Sequence, residues 1–548
     1  MRLKPRQAYF LAFTGIFSVL AIFVFWGTWS PDACPIMPDC TTIFPMGYFP
    51  ALSRLLGEQC LSTWQVIPDD LLLFFGTPYF RQEFQYALAA YFAALGLVYY
   101  LRGRGLCRAA AYGAGLLLAF CGYWFTLFSA GHLGWFKWMT YGVFAFGLCD
   151  RAVRKGKLRH WLLLAAVLAW SAKHQQDLWL MFTLFTAAYF AWCCIRERRL
   201  PKWKGAAIAL AAFFVIGGAN IRSAFSGALA SRQDDIRRDH ENASALTGGE
   251  GRSDEEAKWI FTTNWSMPPE DTLEFFLPRI NGDTSCPFVL SLGIKNSTGV
   301  KPYTGRLGRP IDATAGNYRQ HSLYVGAVTC LFALAAIVLA FMRRLSGRDF
   351  IFFAAAALLF WLLSMGRYCE CVYRAIFNIP LLSFIRAPVK WHHLTEFCIV
   401  VMAAYGIDAL WRLPVSKAKR FMRPLIVAFV VIGACDLCRI DRLYCASVDL
   451  RECRRRDMHM DLTFLGEQDL RRPQVAAMVR SRRIIPLANY LGRSDVYLVE
   501  ALSPRKPPAT PRPVPAYAKF LGVLALAASV FTIGYSLRDV LAKKNKGE

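Results

Sequence analysis

The sequence predicts an all-α polytopic membrane protein with about twelve transmembrane helices, and two observations predict this fold class. Of the 548 residues, 55% are hydrophobic and only 19% are charged, whereas soluble domains are about 45–50% apolar and about 25% charged. Apolar runs of about 20 residues, the length that crosses the hydrocarbon core of a bilayer, also alternate with short connections rich in Lys and Arg. Both observations favour a multi-pass chain.

Twelve apolar runs are candidate spans. The first follows a basic N-terminus and is longer than the apolar core of a signal peptide, so we expect it to remain uncleaved. Several runs are short, notably 160–172. The predicted spans are 8–28, 84–101, 109–129, 133–149, 160–172, 177–195, 205–222, 321–341, 349–365, 392–411, 424–439 and 516–536.

The basic connections predict the topology. If the N-terminus is cytoplasmic and the spans alternate, these connections and the tail 538–546 all fall on the cytoplasmic side, where short loops retain Lys and Arg. We therefore expect both termini in the cytoplasm. The net charge of +26 is then a consequence of topology, and no nucleic-acid partner is expected. The basic connections are 102–108, 150–159, 196–204, 342–348 and 412–423.

Four long segments then face the outer side: 29–83, 223–320, 366–391 and 440–515. We expect a small α/β cap within the last of them, and a stiff Pro-rich linker after the cap. The predicted parts are a membrane domain over 1–439 with outer loops 29–83 and 223–320, an extracytoplasmic segment over 440–515 (cap 475–500, linker 504–515), and a final helix with a basic tail over 516–548.

The chain has 17 cysteines, and about half of them lie in apolar runs, where small buried thiols are ordinary. In an oxidising outer compartment Cys34 and Cys40 could form a disulfide. The pairing of Cys60, Cys445 and Cys453 stays open. No cysteine or histidine spacing typical of a metal site is present, and the sequence has no P-loop, HExxH motif or Ser-His-Asp signature.

Candidate functional residues form five clusters on the predicted outer side. In the first, Asp39 closely follows the first span, where a carboxylate can act as a general base or metal ligand. The alternative is a solvated loop acid. In the second, His132 and Lys137 lie at a helix end beside Gly131 and Gly134. Lys137 could extend toward lipid headgroups or bind a phosphate.

The third cluster, Lys173-His174-Gln175-Gln176-Asp177, fills the turn between two apolar helices. A hairpin turn needs polar residues but rarely so many ionisable ones, so a binding role and a structural role are both open. In the fourth cluster, Glu270 follows two prolines that can begin a helix. Glu270 is therefore either a first-turn acid or part of a site.

The fifth cluster holds Arg386 and Lys390, immediately before the span 392–411. Topology disfavours cations on the outer side, so these two need another explanation. A phosphate-bearing lipid would supply one, because Arg and Lys bind phosphate in complementary ways. Neutralisation of Glu370 or Glu396 would supply another.

The order of these blocks over about 30–412 resembles the YfhO-like bacterial membrane proteins of the GT-C glycosyltransferase superfamily. Two departures are Lys390, where the family has Arg, and Gln175, where it has Pro. The blocks are Asp39-Cys-Thr-Thr, Phe75-Gly-Thr-Pro78, Gly131-His132 with Lys137, His174-Gln175-Gln176, Asn264-Trp-Ser-Met-Pro-Pro-Glu270, and Phe384-Ile-Arg386-Ala-Pro388-Val-Lys390-Trp391 before Gly406-Ile-Asp408.

The resemblance implies a GT-C-like fold in a bacterial cytoplasmic (inner) membrane. It implies transfer of a sugar from a polyprenyl-phosphate donor to a cell-envelope glycan or lipid on the outer face. Asp39 would be the catalytic base or would help to bind a divalent metal, whose requirement stays open. The residues implied to bind substrate or phosphate are His132, Lys137, Lys173, His174, Gln176, Glu270, Arg386 and Lys390.

Two alternatives remain open from the residues themselves. A lipid-linked sugar transporter or flippase would place ionisable residues near mid-membrane, whereas the polar residues here gather at the outer ends of the predicted spans. A non-catalytic membrane scaffold of the same fold would account for the departures at Gln175 and Lys390. Surface chemistry is the favoured hypothesis, with membrane lipids as the surrounding partners.

Overall fold

A computed structural model describes 17 stretches of the chain. They are 5–26, 33–35, 82–122, 133–172, 176–200, 202–218, 221, 254–263, 265–281, 322–345, 347–379, 382, 385–413, 419–445, 447–449, 524–525 and 527–537. The predicted cap and the Pro-rich linker lie outside these residues, as do Cys40, Cys60 and Cys453.

The described residues are predominantly helical. The helices are α1 (Pro5–Phe25), α2 (Gln82–Gly103), α3 (Arg108–Ala119), α4 (Leu133–Gly142), α5 (Phe144–Lys155), α6 (Leu158–Ser171), α7 (Gln176–Glu197), α8 (Trp203–Gly218), α9 (Asp254–Thr263), α10 (Ala327–Phe341), α11 (Arg348–Ser364), α12 (Glu370–Phe377), α13 (His392–Arg412), α14 (Lys419–Tyr444) and α15 (Ala527–Leu537). Short 3-10 helices cover Pro269–Phe275, Gly366–Cys369 and Pro388–Trp391. Two strands are β1 (Ala33–Pro35) and β2 (Ser447–Asp449).

Several of these helices are compatible with a multi-pass membrane protein. Among the described residues, five helices are long and apolar enough to cross a bilayer, or six if α11 and the segment Gly366–Phe377, bent by 114° against it, form one broken span. Every predicted span overlaps a described helix. The five helices are Gln7–Phe25, Phe84–Gly103, Asp177–Glu197, Pro388–Arg412 and Phe421–Arg442.

Among the predicted spans that differ in detail from the helices found, two show how the chain departs from a single continuous helix. The span predicted to begin at 321 begins as a helix only at Ala327, after a non-helical approach. There Gly326 has φ +104°, and the Tyr324 carbonyl accepts a 3.0 Å hydrogen bond from the Gly122 N–H, which ties the approach to the end of α3. The span predicted over 133–149 divides at Val143 into α4 and α5.

Helix α13 lies at the centre of the bundle and packs against α10, α11 and α3. Fifteen of its 21 residues are buried, far more than a helix with one lipid-facing side would bury. An aromatic cluster fills the space beside it: Phe146, Phe182, Phe185, Tyr189, Phe353 and Phe397, with neighbouring ring centroids 5.0–6.4 Å apart. This core fixes the helices whose ends carry the polar residues.

The basic connections meet at one end of the bundle, around two buried carboxylates. Asp150 lies 2.9 Å from Arg104 and 2.7 Å from Arg196. Asp349 is fully buried, lies 2.6 Å from Arg104, and also pairs with Arg196. Burial alone would lower the pKa of Arg104, but the charges of Asp349 and Asp150 outweigh it and raise that pKa. We call these four residues the basic-end network; it holds together the ends of α2, α5, α7 and α11.

Next to this network, Cys107 caps the N-terminus of α3. Its Sγ accepts a hydrogen bond from the Ala110 N–H, and its own N–H donates to the Asp408 carboxylate at 2.6 Å. Burial raises the pKa of the Cys107 thiol to about 11, and the negative charge of Asp408 adds to the rise. At pH 8 only about one thiol in a thousand is therefore the reactive thiolate.

We expect Asp408→Asn to speed alkylation of Cys107 several-fold at pH 8, because removal of the negative charge lowers the thiol pKa and increases the thiolate fraction. Peptide-resolved mass spectrometry after timed iodoacetamide exposure measures this rate, with the exposed Cys371 as the internal reference. An unchanged ratio of Cys107 to Cys371 labelling would show that Asp408 does not control the thiol.

The strands β1 and β2 pair antiparallel, with Cys34 opposite Val448. They follow α1 and α14, which pack against each other. Because paired strands must share one face of the bundle, the segments after these two helices lie at the same end, as the alternating topology requires. Cys445, just before β2, is buried and forms no disulfide with another described cysteine.

Candidate functional site

The candidate site lies at the end of the bundle opposite the basic-end network, where the first turns of α7 and α13 meet. Lys390, in the 3-10 turn that precedes α13, is buried and its ammonium pairs with the Asp177 carboxylate in the first turn of α7. This contact joins the third and fifth predicted clusters. Asp177 also lies where a helix N-terminus favours a negative charge.

The Asp177 pairing changes the explanation of Lys390. We expected an anionic ligand, or neutralisation of Glu370 or Glu396. Glu370 instead pairs with the exposed Arg374 at 2.6 Å, and Glu396 lies 3.5 Å from His392. The carboxylate that neutralises Lys390 comes from a helix 213 residues earlier in the chain. A cation buried this deeply needs such a partner to stay charged.

Arg386 joins the fifth cluster to the fourth. Its guanidinium carbon lies 4.0 Å from the centroid of the Trp265 ring, a cation–π contact. Two backbone hydrogen bonds join the same two segments. The Ala387 N–H donates to the Thr262 carbonyl at 3.2 Å, and the Val389 N–H donates to the Trp265 carbonyl at 3.3 Å. The segment before α13 is therefore fixed on the chain that leaves α9.

Two residues of this junction have backbone conformations that non-glycine residues rarely adopt. Trp265 has φ +59° and Ala387 has φ +63°, each of which costs on the order of 1–3 kcal/mol. Gly366 closes the junction at φ +50°, and an added Cβ there would lie 2.1 Å from Ser266 Oγ. Arg367 supports the chain by donating to the Thr263 carbonyl at 3.0 and 3.2 Å.

The fourth cluster forms a 3-10 helix beside the start of α13. Glu270 lies in its first turn after Pro269, which agrees with a helix-start acid and leaves a second role open. Further along, the Phe275 ring packs 4.5 Å from the His392 ring. His392 Nε2 is 3.2 Å from the Leu323 carbonyl oxygen, so the approach to α10 belongs to the same site.

A buried acidic pair lies next to this site. Glu396 and Asp441 are both fully buried, on α13 and α14, close enough to interact electrostatically. Neither oxygen of Asp441 has a hydrogen-bond partner among the described residues. Sequence analysis had not singled out Asp441, because it lies just beyond the predicted span 424–439, between Arg439 and Arg442.

The structure brings together the third, fourth and fifth predicted clusters through Asp177, Trp265, Arg386 and Lys390. Lys137 lies in α4 and Gln176 begins α7, and only their backbone positions are described. Asp39, His132, Lys173 and His174 lie outside the described residues. Their relation to the site therefore stays a prediction.

Asp177 and Arg367 are further residues that sequence reasoning had left out of the candidate site. Asp177 closes the third predicted cluster, where its place in the first turn of an apolar helix was the available signal. Arg367 offered no local signal, because its partner is a backbone carbonyl about a hundred residues away. Among the described residues, no group of three or more His, Cys, Asp or Glu side chains is arranged to hold a metal.

Comparisons with protein-family models, with curated proteins and with solved structures found no match to this chain.

Proposed function

We propose that this chain is a GT-C-like integral-membrane glycosyltransferase of the bacterial inner membrane, with about twelve spans. It transfers a sugar from a polyprenyl-phosphate donor to a cell-envelope glycan or lipid on the outer face. The observation that carries the proposal is the convergence of Arg386, Lys390 and Asp177 at the end of the bundle opposite the basic-end network. The proposal expects the first outer loop at that same end, and the pairing of β1 with β2 after α14 supports this expectation.

Each residue has a defined part in the proposed reaction. The acceptor hydroxyl attacks the anomeric carbon of the sugar, Asp39 takes the hydroxyl proton, and the polyprenyl phosphate leaves with the electron pair of the broken C–O bond. Arg386 stacks its face on Trp265, an arrangement that suits recognition of phosphate through the guanidinium edge. Lys390 is held in place by its pair with Asp177, and its ammonium, which has three N–H donors, can also donate to the phosphate as negative charge develops.

Binding and transfer are tested separately on the full chain in proteoliposomes, with polyprenyl-phosphate glucose, mannose and arabinose as probes. We expect Asp39→Asn to bind a donor as the unchanged protein does. Its rate of sugar transfer should fall by at least about 100-fold, because general-base catalysis contributes about 10²–10⁴-fold. Undiminished transfer by Asp39→Asn would remove Asp39 from the mechanism.

Arg386→Ala should weaken donor binding about ten-fold, the effect of one charge-assisted contact. The matched control is Arg439→Ala, since Arg439 is exposed near the end of α14 and, among the described residues, forms an ion pair only with the partly exposed Asp436. Equal binding by the two variants would place the phosphate elsewhere. Absence of binding by the unchanged protein to all three donors would favour the non-catalytic scaffold.

A lipid-linked sugar transporter is the second candidate, and the buried carboxylates of Glu396 and Asp441 favour it. Ionisable side chains within spans commonly mark transport pathways, and Glu396 lies 3.5 Å from His392 at the start of the same helix. In the same proteoliposomes, movement of a labelled donor lipid across the bilayer without sugar transfer, reduced by Asp441→Asn, would rank transport above catalysis.

A further inference from the structure

An apolar groove runs along the outside of the bundle at its basic end. It lies between the last turn of α13 and the first half of α14, with a volume of about 640 Å³. Pro424 interrupts the backbone hydrogen bonding of α14 at the mouth of the groove, because proline has no N–H to donate. The residues that form its walls are Trp411, Pro424, Val427, Ala428, Val431 and Ile432.

The mouth of the groove carries a cation. Arg423 is exposed, and its guanidinium carbon lies 5.3 Å from the centroid of the Trp411 ring. Among the described residues Arg423 forms no ion pair with a carboxylate, whereas the neighbouring Arg412 is held by Asp408 at 3.0 Å. In the sequence, the basic connection 412–423 ends at Arg423.

The length of the groove matches one lipid chain. Nine residues separate Arg423 from Ile432, which at about 1.5 Å per residue is about 14 Å along the helix axis. Half of the hydrocarbon core of a bilayer is about 15 Å thick. A groove with a cation and a Trp at one end and only apolar walls beyond them therefore extends from the membrane surface to the middle of the bilayer.

We infer that this groove binds an anionic phospholipid from the leaflet on the basic side of the protein. The phosphate lies against Arg423 beside Trp411, and one acyl chain lies along Val427, Ala428 and Val431. Charge complementarity selects the headgroup, because each Lys or Arg near a membrane surface attracts anionic lipid. The apolar walls alone would not select a ligand, since lipid tails are as apolar as the walls themselves.

Native mass spectrometry of the delipidated full chain, titrated with phosphatidylglycerol and with phosphatidylcholine, tests this site. We expect the unchanged protein to bind phosphatidylglycerol more tightly, and Arg423→Gln to weaken that binding about five-fold, equivalent to about 1 kcal/mol for one cation. Arg344→Gln is the matched control, because Arg344 is an exposed arginine in another basic connection.

The groove itself is tested by Ala428→Phe, which fills it with a side chain. We expect this variant to lose the bound lipid whichever headgroup is offered, while its thermal unfolding in detergent stays close to that of the unchanged protein. Equal phosphatidylglycerol binding by Arg423→Gln and Arg344→Gln would overturn the proposal, as would full lipid retention by Ala428→Phe. A dimer that Ala428→Phe dissociates, with no lipid bound, would assign the groove to a second copy of the chain instead.

Discussion

Asp349→Asn is expected to destabilise the bundle by about 3–5 kcal/mol, the cost of breaking a buried ion pair from one side. Asp349 is fully buried, lies 2.6 Å from Arg104, pairs with Arg196, and accepts a 3.0 Å hydrogen bond from Trp192 Nε1. The amide keeps the shape of the side chain but removes its charge. The guanidiniums of Arg104 and Arg196 would then share Asp150 as their one buried counter-charge among the described residues.

Reversible unfolding in mixed detergent micelles, followed by tryptophan fluorescence, measures this loss. The matched control is Glu370→Gln, because Glu370 pairs with Arg374 while about half of each side chain is exposed. An exposed pair contributes about 0–1 kcal/mol, so the control should unfold almost as the unchanged protein does. If the two variants differ by less than about 1 kcal/mol, the basic-end network does not stabilise the bundle.

This network shows how far the sequence could predict the fold. The positions of Arg104 and Arg196 in short connections indicated only on which side those connections lie. Their partners, Asp150 on α5 and Asp349 on α11, are distant in the chain, and hydrophobic periodicity carries no information about which helix ends meet. Length and apolarity therefore predicted the apolar helices, whereas the pairing that fixes their ends required three-dimensional contacts.

The candidate site shows the same division. The predicted topology placed Lys390 on the outer side, where a cation needs a partner. The acids nearest in the sequence, Glu370 and Glu396, were the candidates. The partner is Asp177, because α7 and the turn before α13 are adjacent in space and not in sequence. The positive φ of Trp265 and Ala387 could not be predicted from the sequence either, since neither residue type suggests a left-handed backbone. The sequence could show that the charge of Lys390 is unusual at this position, but it could not show that Asp177 is its ion-pair partner.

Gly406→Ala is expected to destabilise the protein by about 3 kcal/mol or more, at or above the upper end of what overpacking usually costs. Gly406 lies on α13 where this helix crosses α10. A Cβ at this position would lie 2.0 Å from the Phe332 carbonyl oxygen and 3.3 Å from the Ala336 nitrogen. Because these are backbone atoms, no side-chain rotation relieves the contact, and the two helices must separate.

The matched control for Gly406→Ala is Gly15→Ala. Gly15 lies in α1, and a Cβ there would have no heavy atom within 4 Å, so the higher helix propensity of Ala should leave this variant neutral or stabilise it by up to about 1 kcal/mol. The comparison separates helix propensity from helix contact, because both variants add the same methyl group to a helix. Equal stability of the two variants would mean that α10 and α13 are not in backbone contact at Gly406. Separation of these helices should also move His392 away from the Leu323 carbonyl, which joins the close crossing at Gly406 to the geometry of the candidate site.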